Sequence, residues 1–164
     1  MAQLTILGAA YGLGCRTEKM RDIQGNSNQV VVTANNATFG DTWHGNKKSL
    51  VVVYQYTGYN PMVAIAPEGQ QLTISPPGFA VQQAQKAPSD AFRTLGAAYG
   101  LGDVTTKTNS LISSNTLEIT ANNSIFPDSW KGEKKSFVAV FQNEGCRPYM
   151  VVIKEDTYIS VSSQ

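Results

Sequence analysis

Ile6-Leu-Gly-Ala-Ala-Tyr-Gly-Leu-Gly14 returns at an offset of 88 residues as Thr94-Leu-Gly-Ala-Ala-Tyr-Gly-Leu-Gly102, and the two stretches differ only at their first position. A second block, Thr33-Ala-Asn-Asn-Ala-Thr-Phe-Gly-Asp-Thr-Trp-His-Gly-Asn-Lys-Lys-Ser-Leu50, returns at an offset of 87 as Thr120-Ala-Asn-Asn-Ser-Ile-Phe-Pro-Asp-Ser-Trp-Lys-Gly-Glu-Lys-Lys-Ser-Phe137. Self-similarity on this scale marks a duplicated structural unit. The register then holds, pairing Val51 to Gln55 with Val138 to Gln142, Gly58 with Gly145 and Pro61 with Pro148. The one-residue slip falls in the segments Cys15 to Val32 and Asp103 to Ile119, which also diverge most and read as tolerant loops. The chain therefore divides into a first repeat (1–75), a Pro/Gln/Ala-rich linker (76–91) and a second repeat (92–164). Within the linker, Ala80 to Ala87 suits a helical turn or two, and Phe79 an anchor on a domain surface.

Inside each repeat, short runs of Val, Ile, Tyr and Thr alternate with Gly, Asn, Asp and Pro, the punctuation of strands and turns. The pattern predicts strands near Leu4 to Leu7, Val30 to Ala34, Ser49 to Tyr56, Met62 to Ala66 and Gln71 to Ser75, with counterparts in the second copy. A domain this small hides only about 60% of its unfolded surface, so the copies are expected to pack on each other. The fold class is all-β: two tandem homologous β-sandwich-like domains with a pseudo-twofold relation, or one sandwich shared between the copies.

Hydrophobic residues make up 41% of the chain and charged residues 15%, which fits a globular core rather than a disordered tail. Thirteen basic residues against twelve acidic ones leave a net charge of +1, so no basic field attracts nucleic acid. The longest apolar runs, such as Leu50 to Tyr54, are strand-sized, and no membrane span is expected. The start of the chain has no basic stretch followed by an apolar one, which reads as a cytoplasmic protein, released if at all by a leaderless route. Cys15 and Cys146 fall at unmatched places in the two copies, so they read as two reduced thiols or as one bridge between the halves.

Catalytic signals are sparse. The single histidine, His44, is replaced by Lys131 in the second copy and reads as a solvent-facing turn residue. Asp41 and Glu68 recur as Asp128 and Glu155, which leaves a glycosidase-type carboxylate pair open, although spacing alone does not bring them together. No phosphate loop, dinucleotide fingerprint or metal-ligand spacing is present, and no cofactor is expected. The expectation is a non-enzymatic protein.

Asn35, Asn36, Asp41, Trp43 and Lys47, repeated as Asn122, Asn123, Asp128, Trp130 and Lys134, form the most informative block. An exposed indole offers a flat apolar face to a sugar ring, while amide and carboxylate groups meet pairs of hydroxyls. The alternative is structural: the tryptophans plug each small core, the asparagines take turn geometry and the aspartates cap turns. The glycines of Gly-Ala-Ala-Tyr-Gly-Leu-Gly suit a bulge, a tight turn or a close backbone approach, and Tyr11 and Tyr99 are expected to serve the fold. Lys47-Lys48 and Lys134-Lys135 precede the strongest strand and read as solvation of an edge.

Ala97-Ala-Tyr-Gly100, Asp103-Val-Thr105 and Gly132-Glu-Lys-Lys-Ser136 leading into Val138-Ala-Val-Phe-Gln142, with Gly145 following, together resemble the C-terminal domain of a mitochondrial-membrane-associated J-domain (DnaJ-type) protein. The first copy departs from that pattern, with Cys15-Arg-Thr17 in place of Asp-Val-Thr. The resemblance implies a non-enzymatic module; the chain holds no J-domain, so it implies no chaperone role. The combined expectation is a lectin-like protein with one site per repeat, bivalent for a glycan or another repeated surface ligand and open to homo-oligomerisation. A protein-interaction or structural module is the alternative.

Overall fold

A computed structural model describes residues 2–77 and 92–163. The Ala80 to Ala87 helix, the Phe79 anchor and most of the expected linker lie outside the described residues. The first half runs β1 (Leu4–Tyr11), β2 (Gly14–Cys15), α1 (Thr17–Gln24), β3 (Val30–Thr33), α2 (Asn36–Phe39), β4 (Ser49–Tyr56), β5 (Met62–Pro67) and β6 (Gln71–Ile74). The second runs β7 (Arg93–Tyr99), β8 (Gly102–Asp103), α3 (Thr105–Leu111), β9 (Thr116–Thr120), β10 (Ser136–Gln142), β11 (Tyr149–Lys154) and β12 (Tyr158–Ser162). Each half is its own small sandwich. A four-stranded antiparallel sheet, ordered β2-β1-β4-β5 or β8-β7-β10-β11, faces a two-stranded one, β3-β6 or β9-β12.

The unbroken apolar run Leu50-Val-Val-Val53 follows from a sheet buried on both faces. Leu50, Val52 and Tyr56 point into the first half's core with Ile6, Tyr11, Met20 and Phe39. Val51 and Val53 point the other way and meet the second half, joining Ala10, Ala98 and Val138 in one cluster and Leu95 and Val140 in another. The two large sheets thus stack back to back between the two small ones. The contact is reciprocal, as a twofold relation requires. A Cβ on Gly8 would stand 2.6 Å from Val140 and Met150, and a Cβ on its counterpart Gly96 would stand 2.7 Å from Val53 and 2.8 Å from Val63. Those distances are far inside van der Waals contact, so both glycines are required by the approach of the halves.

The glycine-rich motif fills all three roles expected of it. The ladder between β1 and β4 shifts between Ile6 and Gly8, leaving Leu7 as a bulge residue. Gly8 is the close approach, and Gly12 and Gly100 turn the chain at φ 61° and 60°. The strand itself continues past the expected Leu7 to Tyr11, because Ala9 and Tyr11 belong to the core.

Helices occupy the segments that sequence reads as loops. Thr17 accepts a hydrogen bond from the Ala9 amide at 3.1 Å, and its counterpart Thr105 accepts one from Ala97 at 2.9 Å. Arg21 donates to the Ile6 carbonyl at 3.0 and 3.2 Å, and Asn109 donates to the Thr94 carbonyl at 3.0 Å. Docking on a strand stabilises these short helices where intrinsic propensity does not. Cys15 and Cys146 are free and exposed, in line with two separate thiols. No helix among the described residues is long and apolar enough to cross a membrane.

Candidate functional site

The loop between α2 and β4 is held over the sheet by a charge that the sequence pattern places in solvent. Lys48 and Lys135 are each only 2% exposed. They share the strand parity of Leu50 and Val52, or Phe137 and Ala139, and so turn inward beneath the loop. Solvation of an edge is therefore the wrong reading for these two, while Lys47 and Lys134 are exposed. The Lys48 ammonium meets Asp41 Oδ1 at 2.7 Å and Glu68 Oε1 at 3.2 Å, and donates to the Asn46 carbonyl at 3.1 Å. Lys135 repeats this with Asp128 at 2.7 Å, Glu155 at 3.2 Å and the Glu133 carbonyl at 3.0 Å. Each ammonium also lies over a tyrosine ring, at 5.9 Å from Tyr11 and 5.8 Å from Tyr99.

Asp41 and Glu68 thus come together, but on a lysine rather than around an empty gap. Burial works against the charged form of Lys48, and hydrogen bonds and charges from Asp41 and Glu68 outweigh it, so its pKa rises. Hydrogen bonds from Lys48 and then His44 hold the Asp41 carboxyl below the usual range, and Lys135 does the same for Asp128. Burial, reinforced by Glu68, pushes the Tyr11 hydroxyl above its ordinary value; burial and Glu155 do so for Tyr99. All these shifts lead away from neutral pH.

The ten residues singled out in sequence separate into distinct roles. Asn35 accepts from the Thr38 amide at 2.8 Å and caps α2, and Asn122 accepts from the Ser124 and Ile125 amides at 3.0 and 3.1 Å, so both serve their own turns. Asn36 and Asn123 accept from the Tyr11 and Tyr99 hydroxyls at 2.9 and 2.8 Å. Asp41 and Asp128 anchor the lysines. Lys47 crosses to the other half, 3.3 Å from Glu133. Asn46 stands where Glu133 stands, so Lys134 has no equivalent bridge.

Trp43 and Trp130 are half-buried and lie outside every core cluster; Phe39 and Phe126 fill the places a core plug would take. Trp43 instead walls a cleft of about 240 Å³ with Lys134, Lys154, Glu155 and Asp156 of the other half. A second cleft, about 300 Å³, opens beside Asn36, Asp41, His44, Asn46, Lys47 and Glu68. His44 is exposed as expected, with Nδ1 2.8 Å from Asp41 Oδ2. Sequence reasoning missed Lys154 and Asp156, which join Trp43 only through the docking of the halves. It also missed Lys48, which parity counted back from Leu50 would have found. No three His, Cys, Asp or Glu side chains among the described residues are grouped to hold a metal ion. No described protein family, curated protein or solved structure matches the chain.

Proposed function

We propose that the protein is a non-enzymatic, lectin-like carbohydrate-binding protein with a site at each lysine-centred loop. The observation that carries this reading is Trp43: a half-buried indole outside the cores, facing ammonium and carboxylate groups of the other half across a small cleft. An apolar ring face bounded by fixed charged donors and acceptors is the arrangement that a sugar, with its apolar and hydroxyl faces, complements. Both clefts sit at or below the lower end of the roughly 300–1,000 Å³ typical of ligand pockets, a size that suits one ring at a chain end.

Binding is favoured over glycoside hydrolysis by the charge state of the carboxylates. A glycosidase acid needs a raised pKa, whereas Asp41 and Asp128 are lowered by the lysines they hold. Two linked sites raise avidity for a repeated ligand without new contacts, provided the spacing lets both engage. Two exposed free thiols suit a reducing compartment, so the proposed place of action is the cytoplasm.

A glycan array probed with the purified chain tests the proposal. Binding to a defined terminal sugar that Trp43→Ala abolishes at one site, with fold retained, supports it. Silence across diverse glycans moves the reading to a protein-interaction module.

A further inference from the structure

The pseudo-twofold makes each half a control for the other, and beside the start of α1 and α3 they fail to match. In the first half Arg16, between β2 and α1, turns its guanidinium into a notch beside the loop that follows α2. Its Nε donates to the Phe39 carbonyl at 2.7 Å and its Nη1 to the Cys15 carbonyl at 2.8 Å. A Cβ on Gly14 would stand 2.8 Å from that same Nη1, and one on Gly40 would stand 3.7 Å from Nη2, so the guanidinium fills the notch from wall to wall.

The second half has Val104 at this position, and Val104 turns into the core, 6% exposed. The notch stays open as a cleft of about 650 Å³, walled by Gly102, Asp103, Val104, Pro127 and Ser129, the counterparts of Gly14, Cys15, Arg16, Gly40 and Thr42. Asp103 brings a carboxylate to the place of Cys15. Its Oδ1 accepts from the Thr105 amide at 3.0 Å and hydroxyl at 2.6 Å, which fixes the side chain against the start of α3. Lys107 also lines the cleft, and Lys19 is its counterpart in the first half.

We infer that this cleft of the second half receives an arginine side chain carried by a peptide partner. The first half fills the matching notch with its own guanidinium, and the second offers the corresponding positions with the Asp103 carboxylate in place of Cys15 and no occupant among the described residues. A guanidinium is planar and donates in two directions at once, as Arg16 does toward Phe39 and Cys15; an ammonium is a point charge without that fork. The inference does not depend on the sugar reading, since the Trp43 cleft shares no lining residue with this one.

The test titrates the full chain, isotope-labelled for amide NMR, with an acetylated and amidated pentapeptide bearing a central arginine, and with its lysine and citrulline counterparts. The arginine peptide is expected to move the amides of Gly102, Asp103 and Ser129, with citrulline weaker by about tenfold or more. Asp103→Asn weakens the arginine peptide by a similar factor, and Val104→Arg, which rebuilds the internal plug, abolishes its binding. Arg16→Val, read only from a spectrum that remains folded, adds a second set of shifts around Gly14 and Thr42. Equal binding of arginine and citrulline peptides overturns the inference, as does movement of the cleft amides by simple sugars and not by arginine.

Discussion

The two halves share their buried lysines, their seam glycines and their large sheets, and differ where α1 and α3 meet those sheets. Met20 in the first half is wholly buried in the core; its counterpart Thr108 is equally buried, but its hydroxyl has no hydrogen-bond partner among the described residues. Arg16 fills a notch that Val104 leaves open. Duplication has thus preserved whatever both faces of a sheet depend on and released the single-faced helix edge to diverge. The ammonium contacts of Lys48 and Lys135 match atom for atom while the neighbouring helices do not.

The sharpest way to break this equivalence is a charge in the seam. Val53→Asp and its counterpart Val140→Asp each bury a carboxylate among Leu7, Val63, Leu95 and Met150, and each is expected to lose about 4 kcal/mol or more in denaturant unfolding. Near-equal losses support the twofold seam; a mild effect at either site contradicts it.

Overpacking comes next. Gly96→Ala meets both methyls of Val53 and one of Val63, stiff branched side chains, and is expected to cost about 1–3 kcal/mol. Gly8→Ala meets the movable tip of Met150 as well as Val140, so a smaller loss is predicted. Thermal unfolding of the pair ranks them, and the reverse order would show that the seam is not packed as described.

The lysine networks set the acid limb of stability. The folded carboxyl pKa of Asp128 lies below its unfolded value of about 4, so its contribution is complete above that range and is lost as pH falls through the lowered folded value. Urea midpoints of Asp128→Asn should lie below wild type near pH 6 and converge with it toward pH 2. Parallel curves would mean that the carboxylate does not hold Lys135. The Lys135 contribution runs the other way: complete below about pH 10.4 and lost as pH rises through the raised folded value.

The smallest effect sharpens the core comparison. Thr108→Val replaces an orphaned hydroxyl by a methyl of the same shape and should stabilise the chain by about 1 kcal/mol, whereas loss of stability would imply a partner for that hydroxyl.

Much of this fold is legible from residue order. The strands from Val30, Ser49, Met62 and Gln71 begin where alternation and turn residues put them, because pleat parity and burial are written in the same pattern. The helix over Thr105-Thr-Lys-Thr-Asn-Ser-Leu111 is not legible, since Thr, Asn and Ser favour helices poorly and its stability comes from docking on β7. Of the candidate site, the loop residues were visible as a repeated polar block. The meeting of Trp43 with Lys134, Lys154 and Asp156 was not, because it arises only when the second copy docks on the first.

Acrylamide quenching of the single-tryptophan variants Trp43→Phe and Trp130→Phe, with and without the best sugar from the array, tests the carbohydrate reading most directly. The account predicts that the sugar shields Trp43, the tryptophan left in Trp130→Phe, and shifts its emission. Quenching of Trp43 that is unchanged by any sugar the protein binds would contradict it.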